Sequence, residues 1–392
     1  MKIMPAIVAL MCVFTLAICF IILGSISIEL MAALGINTGQ FGTLAMGLFL
    51  TGCIVQLFIG PLLDKVGYKL VAIIGFIITS LSMFLLAIAS TFSIALVACI
   101  VLGVGAMSLN TVGNTLMPIV LFEGKDPARA SNFGNAFYGL GYIVTPLIIV
   151  FIIKTLNLGY NSALIIIGIL SIIFLFFTFF TKFPQASTGF KLSMAFQLLL
   201  KPAIIVSALA LFCYISLDIS MGTWIKKLME GLFGGSANIN AAAKAGLVLS
   251  LYGAAQMIGR FVTSSVKNIT LIGVKLVIFC SIVSLLAILL MMIAKSPLIG
   301  AISVLLVGFA FAPIFPTIVG ITFAKFNSSL YGSIFGIIFA IGLLGGTFVP
   351  KIIGNLSVGS TVQQSLFIAA IMAGILIVIS FIIGRVGKVD KG

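Results

Sequence analysis

Long apolar runs, each ended by a few polar residues, alternate along the whole chain. They cover about 5–34, 38–61, 70–89, 92–121, 131–153, 159–181, 201–228, 241–265, 272–293, 297–325, 331–353 and 361–386. Each matches the roughly 20 apolar residues that carry a helix across a bilayer core, and they lack the ten-residue alternation of an outer-membrane barrel strand. The pattern predicts twelve membrane-spanning helices. Connections such as Ile36-Asn37-Thr38 and Ala89-Ser90-Thr91 are short, so neighbouring spans should be antiparallel. The run from Gly60 to Lys69 breaks this pattern with a charged turn between two apolar stretches. Gly60 and Gly67 are expected to permit the reversal. Asp64, beside Lys65 and Lys69, suits an interfacial lock between helices better than a catalytic acid, and a solvated turn is the plain alternative.

Composition narrows the class. Of the 392 residues, 62% are hydrophobic and 7% charged, against roughly 25% charged in soluble domains, so the chain is read as an integral membrane protein. Its net charge of +14 does not point to nucleic acid, because Lys and Arg are scattered singly between apolar runs rather than clustered. The positive-inside rule accounts for them. With the N-terminus in the cytoplasm, fifteen of the 21 basic residues fall inside, leaving Lys154, Lys226, Lys227, Lys244, Lys295 and Lys351 outside. This supports an even span count with both termini cytoplasmic, in a cytoplasmic (inner) membrane. The apolar start after Met1-Lys2 briefly resembles a signal peptide, but it shows no cleavage site and runs on to about Leu34, so it is read as the first helix. Six cysteines lie within apolar segments without disulfide or metal-ligand spacing; they are read as packing residues, and neither metal nor cofactor is expected.

The longest polar connection, Phe183 to Lys201, separates spans six and seven. It divides the chain into expected six-helix bundles 1–182 and 201–392, with a cytoplasmic linker at 183–200. The halves echo one another about 200 residues apart: Gln56-Leu57-Phe58-Ile59-Gly60 against Gln256-Met257-Ile258-Gly259-Arg260, and Phe133-Gly134 against Phe335-Gly336. Such internal symmetry marks secondary transporters whose halves rock about a midplane site.

Seven acids exist, and Asp64, Glu123, Asp126, Glu230 and Asp390 fall in loops or the tail. Glu29 and Asp218 remain. An ionisable side chain in a membrane helix costs on the order of 3 kcal/mol or more, so it persists where it faces a cavity or a partner. Tyr214, Asp218 and Met221 fall at helical spacing, with Trp224 or Ile225 continuing the face. A carboxylate accepts paired hydroxyl hydrogen bonds and aromatic faces pack on a pyranose ring, so the combination suits a sugar. The structural alternative is an acid tied to a lysine or to backbone. Trp224 is equally well read as an interfacial anchor beside Lys226 and Lys227. Asn110 and Asn114, one turn apart, offer uncharged donors and acceptors; Gln56 and Gln256 are read as interhelical hydrogen-bonding residues. Arg260, near the inner end of its helix, could hold an anion, but its position favours a lock between the halves.

Gly60, Asp64, Gly67 and Lys69 resemble the loop motif between helices 2 and 3 of the major facilitator superfamily. Within it, the chain is similar to the fucose, galactose and glucose symporter group through Asn110-Thr111-Val112-Gly113-Asn114, Phe212 to Trp224, Ile258-Gly259-Arg260-Phe261, Phe315-Pro316-Thr317 and Tyr331-Gly332-Ser333. The resemblance implies an all-α major facilitator fold and a solute site lined by helices 1, 4, 7 and 10. With the residue reading above, it gives Ser25, Asn110, Asn114, Tyr214, Asp218 and Trp224 as expected substrate contacts, Asp218 or Glu29, four residues beyond Ser25 on the same helix face, as the expected site of a coupling H+ or Na+, and Gly60, Asp64, Gly67, Lys69 and Arg260 as expected gating residues. Ser25 and Asn110 stand where the fucose symporter pattern has acids, which removes that route for protons, and Thr263 stands where the second-half counterpart of the Asp64 loop would have one. The glycine-proline pair of drug exporters in helix 5 is missing. The expected protein is a monomeric, ion-coupled carrier of a small polar solute, most simply a hexose. The alternatives are a carrier of an organic acid, nucleoside or drug, or a sensor on the same scaffold. An enzyme lacks a catalytic constellation here, and a channel lacks a filter-like loop.

Overall fold

Backbone N–H and C=O groups in hydrocarbon find no water, so a spanning segment must close its hydrogen bonds internally. The computed structural model describes residues 3–122, 127–184, 201–235, 238, 240–266, 269–326, 331–383 and 385–386, and twelve helices among them are long and apolar enough to cross a membrane. The first six are α1 (Ile3–Ser25), α2 (Thr38–Val66), α3 (Tyr68–Ala87), α4 (Phe92–Val120), α5 (Pro127–Lys154) and α6 (Tyr160–Phe180). The last six are α7 (Pro202–Leu232), α8 (Ala241–Ser265), α9 (Ile269–Ile293), α10 (Pro297–Phe323), α11 (Tyr331–Leu356) and α12 (Val362–Ile383). Below, the near face is the one where α1 begins and the far face is where it ends.

Three boundaries differ from the sequence reading. The reversal between α2 and α3 takes one residue, not ten: α2 runs through Pro61 to Val66, and Gly67 alone turns the chain at φ 85° and ψ 165°. Only glycine occupies that region without strain. Gly60 therefore does not turn the chain; it lies within α2. The first apolar run breaks at Ile26 and resumes as a short helix, Ser27–Leu34, ended by Gly35 in the left-handed conformation. Finally, α10 is two pieces, Pro297–Phe311 and Ile314–Phe323, interrupted at Ala312-Pro313 because proline removes a hydrogen-bond donor and crowds the preceding turn.

Burial sorts the helices into an inner and an outer set. The most apolar windows of α1, α7 and α11 are 72%, 78% and 83% buried, against 33% for α6 and α12. The outer helices turn Phe176, Phe180, Phe279 and Leu286 outward, where lipid is as good a solvent as protein. The seams α2/α11, α5/α8 and α1/α7 join the first six spans to the last six. Glycines set their closeness: a Cβ on Gly24 would sit 1.9 Å from the Gly222 carbonyl oxygen, and one on Gly139 would sit 2.5 Å from the Met257 nitrogen. Midway along α2/α11, the Cys53 thiol donates to the Ala340 carbonyl at 3.1 Å.

Among the described residues the two halves touch at both faces. At the near face a Cβ on Gly60 would lie 2.9 Å from the Gly332 carbonyl oxygen, and Arg129 Nε donates to the Ser264 carbonyl at 3.1 Å. At the far face Lys351 Nζ reaches the Gly39 carbonyl and Thr43 Oγ1, each at 2.6 Å.

Candidate functional site

Helical register brings the polar residues of four spans to one interior. Positions one turn apart share a face. That rule aligns Tyr252, Gln256 and Arg260 on α8, Asn135, Tyr138 and Tyr142 on α5, Asn110 and Asn114 on α4, and Tyr214 and Asp218 on α7. Asn110, Asn114, Asn135, Tyr138, Tyr214, Asp218 and Arg260 line a cavity of about 30 Å³ that is completed by Leu16 and Phe20 of α1, Phe315 of α10 and Phe339 of α11, while Tyr142, Tyr252 and Gln256 join this group through hydrogen bonds. A water needs about 10–15 Å³ on this measure, so the space suits about two waters, and a sugar would require the helices to part.

Asp218 faces this cavity. Its Oδ1 accepts from the Tyr252 hydroxyl at 2.5 Å and from Gln256 Nε2 at 2.6 Å, and Oδ2 accepts from the Tyr138 hydroxyl at 3.3 Å. The Tyr138 and Tyr142 hydroxyls lie 3.0 Å apart. The carboxylate is thus held by neutral donors from two other helices, not by a lysine. Such short bonds to a carboxylate are the strong kind, and the cation that shares the cavity, Arg260, hydrogen-bonds other groups. Gln256 Oε1 is buried with no partner, an acceptor within the same network.

Arg260 is 1% exposed and lines the cavity instead of capping a helix end. Its placement follows from α10. Pro316 has no N–H to offer the carbonyl four residues back, so the Ala312 oxygen is left without that helical donor, and Arg260 Nε donates to it at 3.0 Å. A second guanidinium nitrogen donates to the Asn135 carbonyl at 2.9 Å, a third reaches the Tyr214 hydroxyl at 3.5 Å, and the Tyr138 ring lies 4.9 Å from the guanidinium carbon. Arg260 therefore both ties α8 to α5 and presents a cation to the cavity.

A stretch of the wall next to Arg260 is built of amides. Asn135 Nδ2 donates to Asn114 Oδ1 at 3.0 Å and Asn114 Nδ2 to Asn110 Oδ1 at 2.8 Å, while Gln56 Nε2 donates to Thr111 Oγ1 at 3.0 Å. Gln56 thus links α2 to α4, as its second-half echo Gln256 links α8 to α7.

Of the residues singled out from sequence, Asn110, Asn114, Tyr214, Asp218 and Arg260 meet at the cavity. The others lie elsewhere. Ser25 Oγ donates to its own helix at Ile21, 2.8 Å away. Its carbonyl and Glu29 Oε2 each accept from Lys226 Nζ at 2.6 Å, near the far face. Trp224 is buried in packing: its indole N–H donates to the Pro350 carbonyl at 3.0 Å and its ring meets Phe41 edge-on. Gly60 and Gly67 sit at the near face as described, Lys69 Nζ lies 5.3 Å from the Phe179 ring centroid, and the Asp64 side chain is outside the described residues. Sequence reasoning missed Asn135, Tyr138 and Tyr252. Their signal was the one-turn spacing of polar residues on otherwise apolar helices.

The sequence profile described as Major Facilitator Superfamily matches residues 8–350. A Helicobacter pylori protein with a provisional glucose/galactose transporter name is 25% identical over 325 residues, spanning 78% of this chain and 77% of that one. The quinolone resistance protein NorA of Staphylococcus aureus is 30% identical over 115 residues, 29% of either chain. Among solved structures, a single-substitution variant of the E. coli fucose:proton symporter FucP superposes with a TM-score of 0.70 at 18% identity, covering 97% of this chain and 99% of that one. FucP in its outward conformation gives 0.71 at 17% identity with the same coverage. With the family match running over most of its length and twelve spans in this arrangement, the chain belongs to the major facilitator superfamily of membrane transporters.

Proposed function

We propose that the protein is a secondary active transporter that carries a hexose or related sugar across the cytoplasmic membrane by alternating access, driven by a proton that binds Asp218. The observation that carries this reading is the carboxylate in the central cavity, held by tyrosine and glutamine donors and faced by asparagine amides and aromatic rings. Amides and a carboxylate suit hydroxyl groups, and aromatic faces suit the apolar side of a pyranose. The rocking bodies are the bundles 1–182 and 201–392; most of the 183–200 linker lies outside the described residues. The near face is assigned to the cytoplasm on the basic-residue bias, and the carrier is taken as a monomer. Glu29, tied to Lys226, acts as a far-side latch in this reading, not as the coupling acid.

The test is Asp218→Asn in proteoliposomes. Proton-driven accumulation of labelled hexose should vanish while exchange of internal for external sugar persists. Loss of both would make Asp218 a substrate ligand only, and accumulation driven by a sodium gradient would replace the proton. A second reading, export of a lipophilic drug, is favoured by the NorA likeness and by the aromatic lining from Phe20, Tyr138, Tyr214, Phe315 and Phe339. Stabilisation of the purified protein by quinolones and not by sugars would select it, since a ligand that binds the fold raises stability by mass action.

A further inference from the structure

Arg260 puts a charge in the cavity wall that a neutral sugar does not balance. We infer that the carried sugar bears a carboxylate, as hexuronic acids do, and that Arg260 receives it; this rests on the sugar-carrier reading above.

The geometry supplies a preset anion site. Arg260 is buried, and its hydrogen bonds go to the Ala312 and Asn135 carbonyls and the Tyr214 hydroxyl, not to a carboxylate. A guanidinium has five N–H donors, so at least two remain. The carbonyl bonds fix its plane, and a fixed planar fork is what paired recognition of a carboxylate requires. The tie to the α10 break explains one of the bonds, but it does not explain why a full charge is placed in the cavity wall.

The charge balance points the same way. The titratable or charged groups facing Asp218 are Tyr138 and Tyr142 of α5, Tyr214 of its own helix, and Tyr252 and Arg260 of α8, while α1, α4, α10 and α11 contribute only neutral lining. With Asp218 ionised, the cavity is neutral. Once Asp218 takes a proton, Arg260 is left as an unbalanced buried cation, a costly state that an anionic solute relieves. Proton and anion should therefore reinforce one another's binding. A neutral hexose leaves the cation unbalanced, whereas the asparagine wall serves the hydroxyls of either sugar.

The experiment compares labelled galacturonate with labelled galactose, which differ in the carboxylate at one carbon, in proteoliposomes of the full chain. Exchange at about pH 6 should half-saturate with galacturonate at a concentration at least about tenfold lower than with galactose, the discrimination expected of a site built for a group the analogue lacks. The preference should narrow as rising pH takes the proton from Asp218. Arg260→Gln should bring the two sugars within about twofold of each other, and Arg260→Lys should restore part of the gap because it keeps charge without the fork. If Arg260→Gln does not fold, the wild-type ratio and its pH trend decide alone. Galactose equal to or better than galacturonate overturns this inference and leaves the hexose reading standing. If neither sugar exchanges, both fall.

Discussion

Lys226 and Glu29 form an ion pair whose members are unequally buried, and that inequality predicts unequal mutants. Lys226 is 1% exposed and Glu29 is 23% exposed, with Nζ and Oε2 2.6 Å apart. Glu29→Gln leaves a buried ammonium with the Ser25 carbonyl as its remaining strong partner; removing one partner of a buried pair costs about 3–5 kcal/mol, toward the low end here because that carbonyl remains. Lys226→Met instead leaves a carboxylate that can turn to water and fills the site with a side chain of similar length. The loss is then about 1.5–3 kcal/mol, that of a hydrogen bond to a charged group. Glu29→Gln should therefore melt below Lys226→Met in detergent, and the double variant should match Lys226→Met, because the stranded charge is gone. Lys226→Met should also raise the reactivity of a cysteine introduced on the far-face side of the α1/α7 seam, since both Lys226 bonds are lost, and Glu29→Gln should raise it less, since the bond to the Ser25 carbonyl remains. If Glu29→Gln is as stable as Lys226→Met, the buried-charge reasoning fails. If it abolishes accumulation while sparing exchange, Glu29 is the coupling acid and not a latch.

Other substitutions probe the remaining contacts. Gly67→Ala should cost about 1–3 kcal/mol, read as a lower melting point, because its φ of 85° and ψ of 165° belong to glycine. Gly60→Val should wedge α2 from α11 at the near face, where a Cβ would already lie 2.9 Å from a carbonyl oxygen; labelling from the near side should rise, and unchanged labelling would deny that this glycine sets the seam. Pro316→Ala supplies an N–H to the Ala312 carbonyl in competition with Arg260 Nε. Solute half-saturation should rise several-fold with little change in melting temperature, and unchanged affinity would show that the α10 break does not aim Arg260.

The twelve spans were readable because a membrane permits few chain patterns, and Asp218 stood out because an acid inside an apolar run must have a reason to be there. Of its partners, Gln256 was legible as an interhelical hydrogen-bonding residue, but Tyr138 and Tyr252 did not stand out. They are neutral, ordinary in membrane helices, and converge on Asp218 only when α5, α7 and α8 pack across the two halves. Arg260 looked peripheral because it lies five residues before the end of α8, yet the cavity sits deep enough toward the near face to include it. Trp224 illustrates the opposite error. An indole beside two lysines suggests an interface or a sugar platform, but the approach of α11 at Gly354, whose added Cβ would lie 2.9 Å from the ring, encloses it.

Cys53 gives the protein its own reporter. Its thiol sits on the α2/α11 seam against Ala340, so a water-soluble alkylating reagent should reach it faster while those helices stand apart. The rate of its modification in native membranes would time the opening of the carrier without any engineered probe, and a transported solute should alter that clock.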